Sequence, residues 1–194
     1  MRIIVRIVVW TWFIAAVAVG KLELLARLPA SATQGVLIAL TALLLAACFG
    51  ITAVRAWIDA LDVRALVLPH VTRFVGFYFL LLYQRGELPY AFAMPGGWGD
   101  VIVASLAIGV VFLPLREELR SHVCFIWNTI GVVDILFVVV TAARIGFSHP
   151  WQLRALQVLP LSVLPTFLVP LLVTTHVIIY VHLLRKSPET ANPA

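Results

Sequence analysis

Charged side chains are scarce in this sequence. Asp, Glu, Lys and Arg make up 12% of its 194 residues, about half of the roughly 25% usual in soluble domains. That shortage excludes an ordinary water-soluble globule, because 62% of the residues are hydrophobic and a short chain cannot hide so much apolar surface from water. Cysteine is nearly absent. Cys48 and Cys124 are the two, and neither stands in a CxxC or zinc-ligand spacing. A disulfide framework is therefore excluded, and each thiol reads as a small apolar residue. There is no HExxH, no GxSxG, no acidic motif suited to phosphoryl transfer onto lipid and no histidine-rich metal cage, so no motif favours an enzyme.

What fills the sequence is long apolar runs. The mean hydropathy is +1.05, and about 20 such residues cross the hydrocarbon core of a bilayer as one helix. The expected fold is an all-α, polytopic transmembrane bundle occupying residues 1–186 as a single domain, with a disordered tail at 187–194. Six spans are expected, at about 3–20, 34–54, 66–83, 101–115, 123–143 and 158–184. The first begins with Arg2 and Arg6 and contains Ala16-Val-Ala18, features shared with a cleaved leader, but Trp10, Trp12 and the spans that follow favour a retained helix. Pro160, Pro165 and Pro170 should bend or break the start of the sixth. Residues 88–100 carry Pro89, Pro95, Gly96, Gly97 and Gly99 among apolar neighbours, and read as a re-entrant or interfacial segment.

The net charge of +5 is spread between apolar runs, where it orients a membrane protein and meets lipid headgroups. Nucleic acid is not an expected partner; the bilayer is. Arg2, Arg6, Arg55, Arg64, Arg116, Arg120, Arg185 and Lys186 fall on one side, against Lys21, Arg27, Arg85, Arg144 and Arg154 on the other. That bias places both termini in the cytoplasm.

Against this background a few polar residues stand out inside the spans. His70 and Arg73 are i,i+3 neighbours in the third and share a face. Asn128, Gly131 and Asp134 recur every three residues in the fifth, and His176 follows Thr174 and Thr175 in the sixth. The topology puts His70, Arg73, Asn128 and His176 in one layer, with Asp134 a turn or two further out. A charge at mid-span costs roughly 2.5–3.5 kcal/mol on insertion scales, so Arg73 and Asp134 are an expected pair. The five residues are candidates for a substrate or proton pathway, with a purely structural pairing as the alternative.

A second group, Glu87, Tyr90, Asp100 and His149, is expected at the outer end; Asp100 reads first as the N-cap of the fourth span, and the alternative is an outer vestibule in which Glu87 and Asp100 attract a cation. Trp57, Ile58 and Leu61 with Asp59 and Asp62 suggest a short interfacial helix whose carboxylates pair with Arg55 and Arg64. Residues 116–122 read as a charged anchoring turn.

The stretch His70-x-x-Arg73-Phe-Val-Gly76, then Gly86-Glu87-Leu-Pro89-x-x-Phe92-Ala93-x-Pro95-x-Gly97-x-Gly99-Asp100, then Asn128-x-x-Gly131-x-x-Asp134 resembles a group of small bacterial multi-pass inner-membrane proteins with no assigned activity. The resemblance covers spans three to five. It implies a fold and an inner-membrane setting, and no catalytic role. Three functions then remain open. One is transport of an ion or small molecule, with a homodimer or a larger membrane complex supplying what six short spans lack. A second is a redox protein associated with haem b or a quinone, with His70 and His176 as axial ligands. The third is an assembly or scaffold subunit without chemistry.

Overall fold

Leu-, Val- and Ala-rich runs form helices here, and among residues 2–186, which the computed structural model describes, there is no strand. The expected tail at 187–194 lies outside the described residues. Helix α1 is Arg2–Lys21, α2 is Ala30–Gly50 and α3 is the short Thr52–Asp59. A third long helical stretch, long enough to make a crossing, is built from α4 (Val63–Val67), a 3₁₀ segment (Leu68–Val75) and α5 (Gly76–Gln84). Then come α6 (Tyr90–Phe112), α7 (Glu117–Ser148), a π-helical turn (Leu164–Leu168) and α8 (Val169–Lys186). Six helical stretches among the described residues are long and apolar enough to cross a membrane. Their outward faces stay apolar, as at Ile3, Ile7, Trp10 and Ile14 of α1. This architecture is compatible with a multi-pass membrane protein.

The segment 88–100 is a correction. It is not irregular: α6 runs without interruption from Tyr90 through Pro95 and the glycines to Phe112. Its 23 residues reach about 35 Å at 1.5 Å each, where a span beginning at 101 would have been short. The glycines serve approach, not turning. A side chain on Gly97 would strike Leu80 and the carbonyl of Gly76, and one on Gly76 would strike the Gly97 carbonyl and Asp100. Backbone therefore meets backbone where α5 crosses α6, as small residues permit between apolar helices. Helix α7 is also longer than expected, taking in Glu117–Ser121 as its first turns rather than leaving them as a linking turn. Within it Arg120 is buried and donates to the Leu115 carbonyl at 2.8 Å.

Proline does break the regular winding at the start of the last helical stretch, where residues 159–162 form turns and Leu164–Leu168 are π-helical. Pro170 supplies no N–H to the carbonyl of Thr166 four residues earlier, and Trp12 of α1 donates its indole N–H to that oxygen at 2.9 Å. The rings of Trp12 and Phe13 pack on Phe167 beside it. Helix α1 is thus tied down by a carbonyl that a proline left free. Asp59, expected to pair with Arg55 or Arg64, pairs instead with Arg185 at 2.9 Å, and Asp62 caps α4 by accepting from the Arg64 N–H.

Two apolar clusters fill the bundle. One gathers Val67, Val103, Ala107, Cys124, Trp127 and Ile179, and the other Phe79, Leu82, Phe92, Ala93, Ala142 and Leu161. In each of the four contributing crossings the polar residues lie between the two.

Candidate functional site

The site starts from a local change of helix. Residues Leu68–Val75 are 3₁₀, with three residues per turn, so side chains at i and i+3 line up. His70, Arg73 and Gly76 are all buried on that line, as are Val67, Phe79 and Leu82 before and after it. Arg73 is 1% exposed. Its Nε donates to Asp100 Oδ1 at 2.6 Å, its Nη2 donates to Asp134 Oδ2, and its Nη1 donates to the Gly131 carbonyl at 3.2 Å. One guanidinium thus bridges α6 and α7.

Arg73 meets Asp134, and the two lie in one layer rather than a turn apart. The finding the sequence did not suggest is Asp100. It caps nothing: it lies ten residues into α6, about 15 Å from the helix start, and is buried against Arg73. The misplacement followed from reading the glycines as a loop. A helical stripe was legible there, with buried positions at Ala93, Gly96, Gly97, Asp100, Ala104 and Ala107. The rest of the expected vestibule does not gather around it. Glu87 and Tyr90 are exposed, with Tyr90 against Tyr83, and His149 is exposed beside Trp151.

Glycine makes room for the carboxylates. A Cβ on Gly99 would fall onto Asp134, and one on Gly131 would fall onto the His176 ring. His176 and Asn128 hold each other. Asn128 Nδ2 donates to the His176 carbonyl at 3.1 Å, so its Oδ1 accepts from His176 Nδ1 at 2.8 Å. That fixes the proton on Nδ1 and leaves Nε2 a bare lone pair, and Nε2 has no hydrogen-bond partner. The Thr175 hydroxyl has its own acceptors in the Leu171 and Leu172 carbonyls, so it accepts from His70 Nε2 at 3.0 Å. The His70 Nδ1 lone pair is likewise buried and unpartnered. The two rings lie 4.2 Å apart, walled by Trp127, whose indole N–H is held by the Val103 carbonyl at 3.0 Å. Trp127 is a member of the site that the sequence did not single out, and Thr175, noted there beside His176, proves to be the partner of His70.

Replacing Asn128 with Leu removes both bonds to His176 and strands its ring N–H. We expect a loss of about 1–2 kcal/mol, measured as a lower unfolding midpoint in detergent, with Asn128→Gln recovering part of it.

The geometry does not fit an axial histidine pair. Two metal–nitrogen bonds of about 2 Å each hold the ligating nitrogens about 4 Å apart, with the ring centres further out still. Here the ring centres themselves are 4.2 Å apart, and His70 Nε2 is engaged by Thr175. A haem plane has no room between them. Among the described residues no three His, Cys, Asp or Glu side chains are grouped to hold a metal.

Two spaces flank the triad. A cavity of about 70 Å³, large enough for water, reaches Arg73 and Asp100 from among Phe79, Phe92 and Leu172. On the other side a groove between α6 and α7 reaches Asp134. The charged chain Asp100–Arg73–Asp134 lies between them.

Residues 29–184 match the model of a family described as a domain of unknown function, DUF8737. The chain belongs to this family. The DUF8737 match takes in α2 through nearly all of α8 and so contains every member of the site, leaving out α1. No curated protein and no solved structure matches the chain.

Proposed function

We propose that this DUF8737 protein is an integral protein of a bacterial inner membrane, with both termini in the cytoplasm, that moves a proton or small cation through its central site in the course of transport. One observation carries the reading: two carboxylates, Asp100 and Asp134, share a single buried guanidinium. With both carboxylates ionised, one negative charge is left over in apolar surroundings. Such a charge is costly unless something neutralises it, and a bound proton or cation does so. A purely structural ion pair needs one carboxylate, not two.

The neighbours support a mobile proton. His70 Nδ1 and His176 Nε2 are free acceptors in rings that touch, so each bare lone pair can take up a proton and pass it on. The water-sized cavity beside Asp100 leaves room for a hydrating molecule at the triad, and Asp134 keeps 14% of its side chain exposed.

The test is flux in liposomes with a trapped pH-sensitive dye and a potassium potential set by valinomycin. The purified protein should acidify the lumen well above empty vesicles. Asp134→Asn, which keeps the shape and removes the charge, should lower the rate at least tenfold while gel filtration stays unchanged. Wild-type vesicles that acidify no faster than empty ones would reject this reading and leave an assembly role.

A further inference from the structure

The groove that reaches Asp134 lies on the outward face of the α6–α7 pair and measures about 500 Å³, within the range of drug-sized ligand sites. Gly99, Ile102, Val133 and Phe137 help to line it, and Asp134 is the one charged residue among its lining. It opens sideways: Ile102 is 52% exposed, Val133 64% and Phe137 44%. On six apolar helices, that direction is the bilayer rather than either aqueous face.

We infer that this groove is a lateral binding site for lipophilic organic cations, which enter from the bilayer and dock on Asp134. The inference rests on reading the triad as a site that exchanges its neutralising charge. The unbalanced carboxylate selects a cation. The apolar walls select one that carries its own hydrocarbon, because an inorganic ion would want six or more oxygen ligands and the groove offers the Asp134 carboxylate and little else. The Thr129 hydroxyl on its wall is already engaged, accepting from Tyr180 and donating to the Phe125 carbonyl. The Phe137 ring adds an aromatic face, which attracts organic cations in desolvated sites. Gly99 keeps the floor open, since any side chain there would occupy the place of Asp134.

Equilibrium dialysis of the detergent-purified protein against labelled tetraphenylphosphonium tests this. Saturable binding is expected, weakened at least tenfold in Asp134→Asn and not displaced by neutral triphenylphosphine oxide. Val133→Trp, a change on the outward face that fills the mouth without touching the triad, should weaken binding by a similar factor. No saturable binding by the wild type overturns the inference, as does binding by the Asn and Trp variants that equals the wild type's. Proton flux measured on the same preparation separates the two readings. Flux without tetraphenylphosphonium binding removes the cation groove and keeps the transport site. Asp134-dependent binding without flux keeps the groove and removes transport.

Discussion

Arg73→Leu is expected to be among the most damaging single substitutions in the chain. It leaves Asp100 and Asp134 facing each other in the apolar interior with no cation between them, and stripping one partner from a buried ion pair costs about 3–5 kcal/mol. Denaturation in detergent should show that loss, or the variant should fail to yield monodisperse protein. The informative companion is the triple replacement Arg73→Met, Asp100→Leu, Asp134→Leu. Exchanging a whole buried charged network for apolar side chains is often neutral or stabilising, so the triple variant should regain most of the stability that Arg73→Leu loses. It should also be inactive in the flux assay. That outcome would show a triad kept for its charge rather than for its contribution to folding. A triple variant no more stable than Arg73→Leu would make the triad a structural fastening.

Gly76→Leu is expected to be nearly as severe, for a steric reason. The Cβ position of Gly76 already lies against the backbone carbonyl of Gly97 and 2.9 Å from the Cβ of Asp100. A helix backbone cannot yield as a flexible side chain does. The loss should therefore exceed the roughly 1–3 kcal/mol of ordinary overpacking, and α6 should be pushed off α5 together with Asp100. The Arg73–Asp100 bond should break in the same event, so flux and stability fall together. Gly35→Ala is the control. Nothing lies within 4 Å of a Cβ there, in the second turn of α2, so it should be neutral or add up to about 1 kcal/mol from helix propensity. Parallel melting curves of the two variants check both expectations.

The apolar runs announced six long helices because length and composition suffice for that, and the polar residues of the third, fifth and sixth crossings were legible as exceptions to the oil around them. The first half of the fourth, residues 90–100, was not. Gly96, Gly97, Gly99 and Pro95 are turn signals in water, where glycine's backbone freedom is expensive to restrain. Between apolar helices the same residues are the means of close approach, so the rule changed sign. Asp100 was misplaced by that error alone, and a stripe of buried small residues from Ala93 to Ala107 was the pattern that could have corrected it. Trp127 and the role of Thr175 were hidden for a different reason. Each matters through a partner on another helix, Val103 and His70, and no spacing within one segment records such a pairing.

The 3₁₀ stretch Leu68–Val75 has a mechanical consequence. Its eight residues rise about 2.0 Å each and repeat every three, whereas an α-helix rises 1.5 Å and repeats every 3.6. Rewinding the stretch as α-helix would shorten it by about 4 Å and turn Arg73 by about 60° relative to His70. The segment is therefore a screw thread, in which axial travel and rotation of the guanidinium are one motion. Any force drawing α4 toward α5 would turn Arg73 as it advanced, and its bonds to the two aspartates would be strained together.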